Sequence, residues 1–192
     1  MTNLALFISA YYIWQLVKKH QIADWKVKLL PLSVLLIAVG STTYHTFRSP
    51  YTMLMDVAPI YLFFLVFFYL FIKKFVKTSA KALFTTPTFA ATLLVITIAT
   101  PREFLNGSIR HFFNAATLLG MGLVAVKKFG PQARGFFSVF IIYSLAIFFR
   151  TIEPVVCLHF PVGTHFTWHI LTAVSAYYAV KALLIILKSN HA

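Results

Sequence analysis

Three histidines, an aspartate and a serine interrupt stretches that are otherwise apolar. His45 closes Gly40-Ser41-Thr42-Thr43-Tyr44-His45, and His165 and His169 frame His165-Phe166-Thr167-Trp168-His169. Asp56 lies within Tyr51-Thr52-Met53-Leu54-Met55-Asp56-Val57-Ala58-Pro59-Ile60. Ionisable groups at membrane depth are costly, so they point to function. Three neutral imidazoles match the ligand set of a catalytic zinc, with a fourth position left for water. Ser41 and His45 share a helix face, as do His165 and His169, because each pair is spaced i, i+4. Such a histidine pair lets one helix supply two ligands. In a centre of this kind the metal brings the pKa of its water towards about 7. Asp56 would accept that proton as general base and return it to the leaving group. Ser41 would donate a hydrogen bond to the water or to the developing oxyanion. These are the parts for metal-assisted hydrolysis of an amide or ester within a lipid.

The elements that must hold these groups are membrane helices. Of 192 residues 60% are hydrophobic and 11% charged, with mean hydropathy +0.83. A soluble domain carries about 25% charged residues. The apolar runs are too long, and too poor in alternation, for barrel strands. They predict seven helical spans: Asn3–Val17, Trp25–Phe47, Tyr51–Phe75, Ala82–Thr100, Ser108–Val126, Ala133–Glu153 and His165–Leu187. The chain is thus expected to be one all-α, polytopic membrane domain over 1–192, with no internal repeat and its clearest break at Pro101–Gly107. Its net charge of +13 sits in short runs between apolar segments, without the basic stripe of a nucleic-acid binder. Cys157 is the single cysteine, so no internal disulfide forms. One side collects Lys18, Lys19, Lys26, Lys28, Lys73, Lys74, Lys77, Lys81, Lys127, Lys128, Arg134, Lys181 and Lys188. The other collects Arg48, Arg102, Arg110 and Arg150. The positive-inside rule then places the N-terminus outside and the C-terminus in the cytoplasm. His45, Asp56, His165 and His169 fall at one depth, near the outer ends of three spans, with Pro50 in the tight turn that sets Asp56 beside His45.

The chain resembles the alkaline ceramidase family, within the superfamily of seven-span metal-dependent hydrolases that includes the progestin and adiponectin receptors and the hemolysin III proteins. Gly40-Ser41-Thr42-Thr43-Tyr44-His45-Thr46 is similar to the family's Ser-x3-His motif. Met55-Asp56-Val57-Ala58-Pro59 is similar to its Asp with Pro three residues on. His165-Phe166-Thr167-Trp168-His169 is similar to its His-x3-His with Trp before the last His. Ile152-Glu153 with Cys157 is a weaker match. The resemblance implies a zinc amidase that cleaves ceramide or a related N-acyl lipid to fatty acid and amine. It implies Zn²⁺ on His45, His165 and His169, with Ser41 and Asp56 close by. The acidic calcium-binding segment of eukaryotic members is missing from Met1-Thr2-Asn3-Leu4-Ala5, so calcium regulation is not expected. The minimal loops point to a bacterial relative in the inner membrane, or to an ER or Golgi protein if eukaryotic, with the site near the outer or lumenal face.

Two other functions compete. A receptor-like or hemolysin III-like member would use the metal structurally, without turnover. Those branches carry a Glu in the first span, and Asn3–Val17 has none. A transporter or proton channel would need ionisable groups along a whole path across the membrane, whereas here they gather at the outer side. The partner expected is a membrane lipid; the oligomeric state is not legible.

Overall fold

In lipid the backbone must satisfy its own hydrogen bonds, and an apolar run does so by coiling into a helix. The computed structural model describes residues 3–76, 79–100 and 104–189. The predicted Lys77, the Pro101-Arg102-Glu103 part of the break, Met1-Thr2 and Asn190-His191-Ala192 lie outside the described residues, as does the side chain of Arg110. Seven α-helices follow in order: α1 (Leu4–His20), α2 (Leu29–Phe47), α3 (Pro50–Phe75), α4 (Ser79–Ala99), α5 (Ile109–Phe129), α6 (Gly135–Cys157) and α7 (His165–Lys188). Short 3-10 turns at Trp25–Lys28, Phe104–Gly107 and Gly130–Arg134 join some of them, and no strand occurs among the described residues. Four stretches are long and apolar enough to cross a membrane: Trp25–Phe47, Pro50–Phe75, His111–Cys157 and His165–Lys188. The protein is therefore an all-helical membrane protein.

Local chemistry sets the helix ends nearest the histidines. At the end of α2, Arg48 takes a left-handed conformation (φ 46°), and its N–H donates to Tyr44 O at 2.8 Å. Ser49 then caps α3 reciprocally: Thr52 N–H donates to Ser49 Oγ at 3.2 Å, and Ser49 N–H to Thr52 Oγ1 at 2.9 Å. Pro50 is the first residue of α3 and not part of the turn, a position that suits a residue without N–H. The sixth helix runs past the predicted Glu153 to Cys157, with Pro154 inside it. Pro154 withholds only the N–H that would bond Arg150 O, which leaves the last turn able to form.

Each helix packs on the next in chain order, and α1 closes the ring against α7. Packing is uneven along the bundle. Ile13, Val27, Leu30, Phe67, Leu70, Phe136, Leu183 and Ile186 are all fully buried, and all lie towards the end that carries the lysines. Lys73 there bonds Asp24 at 2.8 Å, and Lys74 donates to Ser189 O at 2.7 Å, holding the end of α7. The opposite end is hollow. Large apolar side chains such as Leu32, Leu35, Leu36 and Val39 point outward from α2, as lipid contact requires.

Candidate metal centre

His45 comes from the last turn of α2, and His165 and His169 from the first two turns of α7. One ring nitrogen or other ligand atom from each lies within 4.8 Å of the other two. Ring centroids are 5.4 Å apart for His45 and His165, 5.3 Å for His45 and His169, and 4.7 Å for His165 and His169. Tetrahedral ligands at 2.0–2.1 Å stand roughly 3.3 Å apart, so the rings need close by no more than about 1.5 Å. Among the described residues this is the only group of three or more His, Cys, Asp or Glu side chains near enough to share an ion. Three imidazoles fit zinc, and also suit iron, copper or nickel. His169 is buried, His165 half-buried and His45 exposed.

Gly40 sets the distance between α2 and α3. A Cβ there would overlap the carbonyl oxygen of Met55 and sit 2.9 Å from the amide nitrogen of Asp56. The same carbonyl loses its helical donor to Pro59, four residues on. Two sequence features thus act on one spot, and they fix the backbone that carries Asp56 against the helix that carries Ser41 and His45. Asp56, half-buried, and Ser41, buried, both line the cavity that the three histidines also line. Ser41 Oγ donates to Asn3 Oδ1 at 3.4 Å, and Asn3 Nδ2 donates to Thr42 Oγ1 at 3.3 Å. Thr42, Thr43 and Thr46 donate to carbonyls four residues back in α2; Ser41 instead reaches α1. Asn3 had no role in the sequence reading, and a polar residue at the start of a span is a weak signal.

The cavity holds about 400 Å³, within the range of ligand sites. Val34 and Ala179 lie along its walls. They stand about ten residues from His45 and His169 on their helices, or about 15 Å. Phe63, Phe64, Phe67, Phe68 and Phe89 make much of the lining. Four of these five come from α3, so the third helix forms much of the inner wall. No protein-family model matches the chain, and no curated protein matches it.

His111, Arg150 and Glu153 add to the site. His111, at the start of α5, also lines the cavity; its Nδ1 is 3.1 Å from the Tyr143 hydroxyl and its ring 4.7 Å from that of Trp168. The Arg150 guanidinium lies over the same Trp168 ring, 5.2 Å from its centroid. Glu153 Oε2 is 3.0 Å from His165 Nδ1. The chain has only four acidic residues, and one inside an apolar run was the signal available for Glu153. His159 is exposed in the turn between α6 and α7.

Proposed function

We propose that the protein is a metal-dependent hydrolase that cleaves the amide bond of ceramide or another N-acyl lipid, with His45, His165 and His169 holding Zn²⁺. The observation that carries this reading is the meeting of three imidazoles from opposite ends of the chain on the wall of an apolar cavity. Bound there, zinc supplies Lewis acidity to the scissile carbonyl and lowers the pKa of a water. Asp56 accepts the proton from the attacking water and passes it to the leaving amine. Ser41, turned from Asn3, donates to the oxygen on which negative charge develops. The phenylalanine walls take the fatty-acyl chain. An extended chain advances roughly 1.2 Å per bond, as a backbone does, so about 15 Å of cavity accepts about twelve methylenes.

The reading includes seven spans with the N-terminus outside. His111–Cys157 is 47 residues; as one straight helix it would be about 70 Å long, more than twice the hydrocarbon thickness. It contains most of α5 and all of α6, which pack side by side, so it supports two crossings. α1 and α4, of 17 and 21 residues, complete the count. Arginines near the histidine end and lysines at the other support the orientation.

Metal analysis of the purified protein, followed by hydrolysis of a short-chain fluorescent ceramide with and without a chelator, tests the proposal. About one zinc per chain and chelator-sensitive release of fatty acid are expected. Metal without turnover on any N-acyl lipid would replace it with the receptor-like reading. Absence of metal from protein purified without chelator and offered zinc would remove both.

A further inference from the structure

We propose that Glu153 is a positioning residue for His165: it fixes which ring nitrogen faces the centre and strengthens that nitrogen as a ligand. The inference rests on the reading of the three histidines as metal ligands. Glu153 Oε2 lies 3.0 Å from His165 Nδ1. A carboxylate accepts and does not donate, so in the neutral ring Nδ1 carries the proton and Nε2 keeps the lone pair. Nε2 is then the atom offered to a metal. A carboxylate on the far nitrogen also raises the basicity of the near one.

The surrounding backbone is built to hold this contact. Gly163 stands in the left-handed region (φ 64°), where a Cβ would lie 2.7 Å from Cys157 Sγ and 3.8 Å from Glu153 Oε1. Glycine there lets the turn fold flat against the last turn of α6. Thr164 Oγ1 then donates to Phe149 O at 2.6 Å, tying the start of α7 back to α6. His165 follows at once. The helix extension through Pro154 matters for the same reason, since it keeps Glu153 on regular helix beside that turn. In a chain with 17 Lys and Arg and four acidic residues, this carboxylate is aimed at an imidazole of the candidate centre.

Zinc affinity of the full-length protein, measured by competition with a chromophoric chelator, tests the assignment. Glu153→Ala should weaken zinc about 10–100-fold. Glu153→Gln, which still accepts from Nδ1–H but lacks charge, should lose less. A structural role alone would not reproduce the second arm: in a His165→Ala background, Glu153→Ala should cost nothing further. If Glu153→Ala fails to fold, as judged by metal-free thermal unfolding, Glu153→Gln carries the comparison. Wild-type zinc binding with Glu153 variants within about twofold of it, or an equal loss with and without His165, would overturn the assignment while leaving the metal reading intact. Failure of the wild type to bind zinc would overturn both.

Discussion

Gly40 offers the sharpest test of how the site is built. Replacing it with alanine adds one methyl group, pointed at backbone and not at a flexible side chain. The new Cβ would overlap Met55 O and lie 2.9 Å from Asp56 N. Restoring ordinary contact of about 3.4 Å to the nitrogen alone needs 0.5 Å of separation, and the carbonyl needs more. α2 and α3 must therefore part by about an ångström. Overpacking of this kind costs about 1–3 kcal/mol, and rigid backbone puts Gly40→Ala at the upper end. For a chain of this length about 3 kcal/mol lowers Tm by roughly 6–12 °C. Turnover should fall further than stability implies, because a displacement of 1 Å at a catalytic group can cost about 100-fold. Gly120→Ala is the control. Gly120 lies in α5 with nothing within 4 Å of a Cβ, so that change should be neutral or stabilise by up to about 1 kcal/mol. Thermal unfolding of both variants in one detergent, with zinc content and lipid hydrolysis, makes the comparison. Gly40→Ala melting and turning over like the wild type would refute the close helix approach as the basis of the site.

Other expectations are simpler. Asp56→Asn should keep zinc and lose about 100- to 10,000-fold in turnover, measured with the fluorescent ceramide; retained activity would remove Asp56 as the base. Ala179→Phe narrows the cavity at its far wall, so long acyl chains should be hydrolysed more slowly while short ones are spared; a uniform loss would place the chain elsewhere. Asp24, outside the spans, is pushed up by burial, but the hydrogen bonds from Lys73 and the Lys26 N–H outweigh this and hold its carboxyl below the usual 3.8. The ion pair therefore contributes its full stability above pH 3.8 and loses it as pH falls through the lower folded value. Because Lys73 is part-exposed, the Tm gap between wild type and Asp24→Asn should correspond to about 1 kcal/mol or less near neutral pH, and close under acid.

Helix positions were plainly legible, since an apolar run has one way to satisfy its backbone in lipid. The predicted third and seventh spans end within a residue of α3 and α7. The sixth helix runs past the predicted end at Glu153 to Cys157, because Pro154 sits in a last turn that needs little from its missing N–H. A common depth for His45, Asp56, His165 and His169 followed from counting residues from span ends. Which way their side chains turn did not, because that depends on Gly40, Pro59 and the α6–α7 turn acting across helices. The His165–Glu153 contact had no local pattern at all: it spans twelve residues and exists only once Gly163 folds the turn back. His111 was passed over because a histidine at a span end resembles many others until Tyr143 and Trp168 are seen against it.

The uneven packing has a consequence for access to the site. A hollow that stops against close-packed Phe67, Phe136 and Leu183 is a cup and not a tube. On the proposed reading, whatever enters at the histidines must leave by the same end.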